Sequence, residues 1–408
     1  MTGNAAAERA VDPREPGPVD SAGPDGPGGD DSGAARPGAR SSGASSSGAS
    51  SSGEEGGAGS PASSGLKGCS QPLSERYDAA LLDLDGVVYL GGHPIAGAAD
   101  ALAAAAKRGM KLAYVTNNAS RSPHAIAAQL SAMGVPATAA DVVTSAQAAA
   151  RVLADRLPEG APVLIVGGTG LRLALRERGL RPVTVAADQP LAVAQGYSPD
   201  ISYGLLAEAA LALNAGALYV ASNVDATLPT PRGLQPGNGS LVQVLVHATG
   251  REPVVAGKPE LPLHAESVQR VGAKRPVVVG DRLDTDIEGA VRAGTDSLLV
   301  LTGVTAPADL LLAGPQRRPS YVAEDVSGLN ARQPDVTTED GRFSCGGWTA
   351  VAAGDQGGGW LTVSGSGSWI DGLRALCSAA WSAGAPSGGQ HEQRAAAETA
   401  VAAIRAAR

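Results

Sequence analysis

Residues 79–88 read AALLDLDGVV, an apolar run that ends in two aspartates and a glycine. A short continuous apolar run is typical of a strand buried on both faces, as in a parallel sheet covered by helices. Ligands of such sheets bind beyond the carboxyl ends of the strands, so Asp83 and Asp85 are expected where chemistry takes place. Gly86 lets the backbone turn closely around a ligand. An Asp-Gly turn with Asp83 as a cap is the purely structural alternative.

The segment from Tyr77 to about Ser327 repeats this pattern. Apolar runs of strand length alternate with alanine-rich stretches whose apolar residues recur at helical spacing. The alternation predicts an α/β fold with a Rossmann-like parallel sheet core. The further candidate strands are 111–116, 141–145, 162–168, 217–222, 276–281 and 297–303.

Two further segments carry polar groups suited to a phosphate. Thr116 and Asn117 end the candidate strand 111–116 and could donate hydrogen bonds to phosphoryl oxygens without bringing charge. They suit the N-terminus of the next helix equally well. Lys258, between a glycine and a proline, could neutralise a dianion as a point charge, although a lone lysine is usually a solvated surface charge.

Acidic residues also follow the candidate strand 276–281. Oxygen ligands without histidine or cysteine indicate Mg²⁺, which binds one or two carboxylates and keeps several waters. Asp281 is the expected ligand. Asp286, about one helical turn later, is expected to orient Asp281 or Lys258 from outside the metal shell. Asp284 is interpreted as a solvated acid at a helix start.

The four segments, in the order Asp-x-Asp, Thr-Asn, Lys and Gly-Asp-x-x-x-x-Asp, resemble the haloacid dehalogenase superfamily of phosphatases. The resemblance is to the subfamily with a large α/β cap inserted between the second and third motifs, similar to para-nitrophenyl phosphatases. It covers about residues 77–329. The stretches that carry it are DLDGVVYLGGHPIAGA (83–98), VTNNASRSP (115–123), PTPRGLQPGNGSLV (229–242), GKPE (257–260) and GDRLDTDIEGAVRAGTDSLLVLTGV (280–304).

The resemblance implies a Mg²⁺-dependent phosphomonoesterase that works through a phospho-aspartate intermediate. Asp83 would be the nucleophile and Asp85 the general acid and base. Asp85 must be protonated when the alcohol leaves and ionised when water attacks, so its pKa is expected above that of an ordinary aspartate. The resemblance further implies that Thr116, Asn117 and Lys258 hold the phosphate, and that Asp83, Asp281 and the backbone carbonyl of Asp85 bind Mg²⁺.

Within the expected cap, the stretch 221–229 carries polar side chains that could reach over the active site. Asn223 and Asp225 are the candidate substrate contacts; an Asx-type loop that holds the cap's own backbone is the alternative. The turn at residues 167–170 invites a nucleotide-binding interpretation. Leu173 stands where a third glycine would be needed, which favours a structural turn.

Texture changes along the chain predict its organisation. A Gly/Ser-rich beginning without large apolar residues indicates disorder. All four tryptophans and the one phenylalanine lie between 343 and 381, which indicates a separate small α+β module. The predicted divisions are 1–72 disordered tail, 73–154 first part of the core, 155–250 α/β cap, 251–330 second part of the core, 331–389 small module, and 390–408 C-terminal helix or tail.

The small module suggests a substrate. Its patterns GRFSCGGWTAVAAG (341–354) and GSGSWIDGLRALCSAAW (365–381) resemble the shortened acyltransferase-like tail of the glycerol 3-phosphate phosphatase branch of the subfamily. That resemblance makes glycerol 3-phosphate the first expected substrate, with pyridoxal 5′-phosphate or phosphoglycolate next. A non-catalytic phospho-ligand sensor and a bifunctional protein with a coenzyme A-binding tail remain alternatives, although a sensor could dispense with Asp85.

Composition limits the partners. The net charge of −8, without a Lys/Arg-rich stripe, argues against a nucleic-acid partner. No apolar run reaches about 18 residues, so membrane insertion is not expected. Three scattered cysteines fit a reducing cytoplasm rather than a disulfide scaffold. The expected partner is a small phosphorylated metabolite, and a homodimer is allowed.

Overall fold

The computed structural model describes residues 65–230, 232–352 and 360–406. Most of the predicted tail, residues 1–64, lies outside this range. Its last part, residues 65–72, differs from the prediction because it contacts the core: Lys67 Nζ lies 2.6 Å from Asp296 Oδ1, and Cys69 pairs through its backbone with Gln333. These partners are more than two hundred residues away along the chain, so local composition could not reveal them.

A parallel sheet of six strands forms the centre of the core. The strand Ala79–Leu82, which leads to Asp83, lies near the middle of this sheet. It is fully buried, as its continuous apolar run predicted. All neighbouring strands are parallel, which confirms the predicted α/β class. In spatial order the strands are Tyr321–Ala323, Asp296–Val300, Pro276–Gly280, Ala79–Leu82, Lys111–Thr116 and Val142–Thr144.

Helices and short segments cover this sheet. The α-helices are Leu73–Arg76, Ala98–Lys107, Pro123–Ala132, Ser145–Ala154, Leu261–Val271, Glu288–Arg292 and Pro307–Leu311. A π-helical turn, Leu283–Ile287, follows the strand that leads to Asp281. The remaining pieces are the 3-10 segments Ala139–Asp141, Pro315–Arg317 and Val326–Asn330, and the small hairpin of Tyr89–Leu90 and His93–Pro94.

The cap is a second parallel sheet, of five strands. Its fifth strand, Val254–Val255, pairs with Leu218–Ala221, although the sequence assigned residues after 250 to the core. The cap sheet therefore extends past the predicted boundary, because strand pairing and not chain position decides membership. In spatial order the strands are Val254–Val255, Leu218–Ala221, Ala192–Gln195, Pro162–Val166 and Arg181–Val183, with helices Thr169–Glu177, Tyr203–Asn214 and Asn238–Thr249, a 3-10 turn at Ala186–Asp188, and a hairpin of Thr227–Thr230 and Gly233–Pro236.

The C-terminal module is α+β, as predicted, but it shares its apolar core with the main domain. Its four-stranded sheet is antiparallel, and its helices pack in one cluster with Leu299 and Val322 of the core sheet. Arg374, almost fully buried, donates to the backbone oxygen of Val322 at 2.8 Å. The elements are strands Thr337–Glu339, Arg342–Cys345, Trp348–Ala352 and Leu361–Gly365 and helices Trp369–Ala383 and Gln390–Ala406.

The segment predicted as a C-terminal helix or tail forms the helix Gln390–Ala406 among the described residues. One of its faces is buried by Ala397, Ala400, Val401 and Ile404. Apolar packing of this kind, rather than alanine propensity alone, accounts for a helix at the end of the chain. None of the described helices is both long and apolar enough to cross a membrane.

The glycine-rich turn at residues 167–170 is a packing contact, as its sequence favoured. Gly170 N donates to Ser120 O at 3.0 Å, so the turn lies against the loop that follows the core strand Lys111–Thr116. A Cβ on Gly170 would lie 2.5 Å from Arg121 O. These glycines are needed because the cap approaches the core backbone closely at this point.

Candidate active site

Strand ends of the core sheet bring three of the predicted acids together. Asp83 follows the strand Ala79–Leu82, whereas Asp281 and Asp286 follow Pro276–Gly280. One carboxylate oxygen from each of the three lies within 4.8 Å of the others. Neighbouring parallel strands end at the same edge of a sheet, which is why residues 198 positions apart along the chain meet here.

The carboxylate of Asp281 is tightly enclosed, and one of its oxygens has no hydrogen-bond partner among the described residues. Its Oδ2 accepts a hydrogen bond from Val304 N at 2.6 Å, while its Oδ1 is buried without a hydrogen-bond partner among the described residues. A Cβ on Gly303 would lie 2.0 Å from Oδ2, and one on Gly86 2.5 Å from the same atom. A buried carboxylate oxygen without a partner is costly, and a bound cation would satisfy it. The oxygen-only cluster therefore fits Mg²⁺.

Lys258 places its ammonium group between two of these acids. Its Nζ contacts Asp83 Oδ1, lies 2.8 Å from Asp286 Oδ1, and donates to Val115 O at 3.3 Å. Burial alone would lower the pKa of Lys258, but the carboxylates of Asp286 and Asp83 raise it above the usual value. The lysine is therefore charged at neutral pH.

Asp286 is committed to this arrangement. Its second oxygen accepts a hydrogen bond from Arg282 N at 3.2 Å, so both oxygens have partners in the protein. A Cβ on Gly280 would lie 2.2 Å from the Cβ of Asp286, which shows how closely the strand end and the π-helical turn approach. This geometry supports the predicted orienting role of Asp286 toward Lys258.

Burial and mutual repulsion disfavour the ionised acids. Burial, opposed by Lys258 and reinforced by the charges of Asp286 and Asp281, raises the pKa of Asp83 to about 7. Burial followed by the charge of Asp286 raises the pKa of Asp281 to about 6. One lysine does not neutralise three carboxylates, and a divalent cation would favour their ionised forms.

Asp85 lies beside the cluster in a different environment. Its carboxyl is partly desolvated, which raises its pKa above the ordinary value, and a hydrogen bond from the backbone of Gly91 opposes the shift. The direction agrees with the expectation for a general acid. The backbone bends sharply after it, because Gly86 has a positive φ of 86° and its N–H donates to Tyr89 O at 2.7 Å.

Tyr89, which was not identified from the sequence as a site residue, follows this bend. Burial, followed by the charges of Asp83 and Asp85, raises the pKa of Tyr89 to about 12. The charge of Arg121 acts on the same phenol in the opposite direction. Tyr89 stands four residues after Asp85 and pairs with it through a backbone bridge.

The predicted phosphate residues are next to Lys258 and already have partners. Thr116 is buried, and its Oγ1 accepts from Asn118 N at 3.1 Å. Asn117 Oδ1 accepts from Lys258 N at 2.8 Å, and Asn117 Nδ2 faces Lys258 O at 3.2 Å. The same nitrogen lies 3.2 and 3.3 Å from the carboxylate oxygens of Asp225. The Asn117 carboxamide therefore connects core and cap.

The two cap candidates differ in their surroundings. Asn223 is 4% exposed, and its Nδ2 donates to Asn117 O at 2.8 Å while its Oδ1 accepts from Asp225 N at 3.2 Å. These bonds favour the alternative that Asn223 holds the loop. Asp225 is half-buried, and burial raises its pKa against the hydrogen bond from Asn117 and the charge of Arg282.

Arg282 was not identified from the sequence as a site residue. Its guanidinium binds both oxygens of Asp284, with Nε to Oδ1 at 3.1 Å and one terminal nitrogen to Oδ2 at 2.8 Å. Asp284, interpreted as a solvated acid, is thus paired with a neighbour two residues away. The positive charge of Arg282 acts on both Asp225 and Asp284.

Comparison with known families agrees with this architecture. Residues 80–181 match the family model described as haloacid dehalogenase-like hydrolase, and residues 255–329 match a second model described as HAD-hydrolase-like. Residues 345–407 match a model described as a GCN5-related N-acetyltransferase like domain. The two hydrolase matches contain the core strands that carry Asp83 and Asp281.

Comparison with individual proteins extends over most of the chain. The chain is 47% identical over 322 residues to D-glycerol 3-phosphate phosphatase of Mycobacterium tuberculosis, covering 76% of this chain and 88% of that protein. A crystal structure of glycerol phosphate phosphatase from the same organism, in complex with magnesium, is 46% identical, with a TM-score of 0.71, and covers 81% of this chain and 98% of that one. A double mutant of a thermostable NPPase from Geobacillus stearothermophilus is 33% identical, with a TM-score of 0.56, over 62% and 97% of the respective chains.

Proposed function

The chain belongs to the haloacid dehalogenase-like hydrolases, and from that premise we propose that it is a Mg²⁺-dependent phosphomonoesterase with Asp83 as its nucleophile. One observation carries the proposal: the unpartnered Oδ1 of Asp281 and the ammonium of Lys258 belong to the same small cluster as Asp83. A cation site and a fixed positive charge beside one carboxylate suit attack on a phosphate dianion.

The residues have separate roles in the proposed reaction. Asp83 attacks phosphorus and forms an acyl phosphate, and the bond from phosphorus to the ester oxygen breaks. Asp85 donates its proton to the departing alkoxide, then accepts a proton from the water that hydrolyses the acyl phosphate. Lys258, Thr116 and Asn117 hold the phosphate. Asp83, Asp281 and the backbone carbonyl of Asp85 would hold Mg²⁺, whose charge offsets the repulsion between Asp83 and the phosphate.

For the substrate we propose glycerol 3-phosphate, which would give glycerol and inorganic phosphate. Support comes from the relative's substrate and from the acetyltransferase-like C-terminal match. The cap offers Asp225 for the hydroxyls of the substrate, together with few aromatic groups. Of the three cap tyrosines, Tyr219 is buried and bonded to Gln195, and Tyr203 is 86% exposed. The small number of aromatic groups in the cap disfavours a large planar substrate such as pyridoxal 5′-phosphate.

The substrate experiment is a phosphate-release assay with Mg²⁺ on a panel of small phosphate esters. We expect kcat/KM to be highest for glycerol 3-phosphate and lower for pyridoxal 5′-phosphate and phosphoglycolate. Phosphoglycolate carries a carboxylate that Asp225 would repel. A preference for pyridoxal 5′-phosphate would refute the substrate assignment, whereas no release from any ester, nitrophenyl phosphate included, would refute the phosphatase proposal.

The glycines that precede the helix Trp369–Ala383 do not by themselves support a coenzyme A-binding role for the C-terminal module. A Cβ on Gly365 would lie 2.1 Å from Gly347 O, and one on Gly367 2.5 Å from Gly346 O. The glycines before the helix Trp369–Ala383 thus allow two backbone segments to pack together, which explains them without a pyrophosphate.

The cytoplasmic location and the homodimer stay predictions, which cell fractionation and light scattering would test.

A further inference from the structure

The carboxamide of Asn117 bonds to both backbone polar groups of one residue, Lys258. Its Oδ1 accepts from Lys258 N at 2.8 Å, and its Nδ2 donates to Lys258 O at 3.2 Å. The side chain thus pairs with the lysine backbone as a neighbouring peptide unit would. A Cβ on Gly257 would lie 2.5 Å from Asn117 Oδ1, so the glycine before the lysine is needed for this approach.

Asp225 of the cap determines which way the carboxamide points. Both of its oxygens face Asn117 Nδ2, at 3.2 and 3.3 Å. A carboxylate accepts hydrogen bonds and cannot donate them, so the nitrogen end of the amide must face Asp225. The oxygen end is then directed to the N–H of Lys258.

The other end of Lys258 contacts the predicted nucleophile. Its Nζ binds Asp83 Oδ1, and the intervening side chain is almost buried, with 13% exposure. Backbone placement therefore controls where the ammonium lies, because a buried side chain has few alternative rotamers. Three contacts in series connect the cap to the nucleophile: Asp225 to Asn117, Asn117 to Lys258, and Lys258 to Asp83.

We propose that Asn117 is a positioning residue: oriented by Asp225, its carboxamide holds the Lys258 backbone so that the ammonium meets Asp83. The inference rests on the proposed phosphatase function and revises one part of it. The side chain of Asn117 acts through Lys258, and phosphate contact at this residue is left to its backbone amide. Asp225 then has a role in the reaction of every ester, including esters without hydroxyl groups.

The test exchanges the two side chains. Asn117→Asp keeps an acceptor for Lys258 N but removes both donated bonds and places a carboxylate against Asp225. We expect kcat for nitrophenyl phosphate to fall on the order of 100-fold, the effect of a misplacement of about 1 Å. Asp225→Asn in the same chain restores a donor opposite an acceptor. The double variant should recover about tenfold or more over Asn117→Asp.

Asn118→Asp is the matched control, since it adds the same charge to the same loop. The Oδ1 of Asn118 accepts from Ser120 N at 3.0 Å, and an aspartate can keep that bond. We expect Asn118→Asp to lower kcat for nitrophenyl phosphate by less than about fivefold, as a general effect of the added charge. A loss as large as that of Asn117→Asp would overturn the positioning role.

Melting temperatures separate positioning from folding. A double variant that recovers kcat without a matching rise in melting temperature supports the inference, because general repacking would raise both. A double variant no faster than Asn117→Asp overturns the orienting role of Asp225 while leaving the phosphatase proposal intact. A wild-type protein without activity toward nitrophenyl phosphate contradicts the proposed function itself, and this inference with it.

Discussion

Lys258 Nζ and Asp286 Oδ1 form a buried ion pair at 2.8 Å, and the same ammonium contacts Asp83. Asp286 is 1% exposed in its side chain, and Arg282 N binds its other oxygen, so it acts as a fixed counterion. The lysine stays charged while the charge at Asp83 changes during the proposed reaction. This ion pair keeps positive charge at the phosphate position without a proton transfer to or from the lysine.

Asp83→Asn should abolish turnover and leave the fold intact. The amide is nearly isosteric, but it is no nucleophile and removes one proposed metal ligand. Steady-state phosphate release should fall below about a thousandth of the wild-type rate. Far-ultraviolet circular dichroism and the melting temperature check that the variant is folded; release above that limit from folded protein would contradict the nucleophile assignment.

The activity lost in Asp85→Asn should depend on the leaving group of the substrate. Nitrophenolate departs without a proton, whereas the alkoxide of glycerol needs one, so the loss should be larger for glycerol 3-phosphate than for nitrophenyl phosphate. We expect the two losses in kcat to differ on the order of tenfold or more. Parallel assays of both esters provide the measurement, and equal losses would remove Asp85 as the acid.

Mg²⁺ affinity should weaken as the pH falls from 8 to 6. Burial raises the pKa of Asp83 to about 7 and that of Asp281 to about 6 in the metal-free protein. A raised pKa means that protons occupy these carboxylates below those values and must leave when the cation binds. The dissociation constant should rise on the order of tenfold over this interval. Calorimetric titration of metal-free protein measures it, and an affinity independent of pH would contradict the assigned ligands.

Gly303→Ala should weaken the metal site by moving Asp281. The added Cβ would lie 2.0 Å from Asp281 Oδ2, so the carboxylate must shift. We expect at least about tenfold weaker Mg²⁺ binding. Gly314→Ala is the control, since a Cβ there meets nothing within 4 Å. Similar Mg²⁺ affinity in both variants would show that the close packing of Gly303 against Asp281 is unimportant for metal binding.

Glu266→Gln should destabilise the protein where the cap helix Thr169–Glu177 meets the core. Glu266 is 4% exposed in its side chain and pairs with Arg178, just after that helix, and with Arg151 and Arg270. Burial raises the pKa of Glu266, but the three arginines lower it more, to below the ordinary value. We expect a loss of about 2–3 kcal/mol in the free energy of unfolding at pH 7.

The pH dependence of this loss follows from the lowered pKa. Stability from Glu266 is complete above the pKa of the unfolded chain, about 4.3, and disappears as the pH falls through the folded value. Denaturant unfolding at pH 7 and near pH 3 should therefore show a larger difference from wild type at pH 7 than near pH 3. Glu398→Gln alters the ion pair with Arg394, in which the glutamate side chain is 57% exposed. This variant should change the free energy of unfolding by less than about 0.5 kcal/mol. Equal effects of the two variants would contradict the importance of burial.

Much of the site could be predicted from the sequence because it follows from local patterns. A continuous apolar run marks a buried strand, and the carboxyl ends of parallel strands meet at one edge. Those two facts predicted that Asp83 and Asp281 each lie at a strand end where ligands bind. The resemblance to the family implied that the two acids share a metal ion and that Lys258 holds the phosphate. The resemblance to the family implied the cap insertion, and a change in texture along the chain predicted the α+β module.

Other features depend on partners that local sequence does not specify. Val254–Val255 joins the cap sheet, and residues 65–72 contact the core, because the pairing groups lie elsewhere in the chain. Tyr89 pairs through its backbone with Asp85 and Gly86 because Gly86 adopts a positive φ.

Asn117 shows the division most clearly. The sequence by itself determined that an amide and a lysine follow two different strands, each with the chemistry to bind phosphate. Only the tertiary structure decided that the amide bonds to the lysine backbone, 141 residues away, and to Asp225 of the cap. The physical reason is that residue type sets how many hydrogen bonds a group can form, whereas the fold sets which partner stands within 3 Å or so.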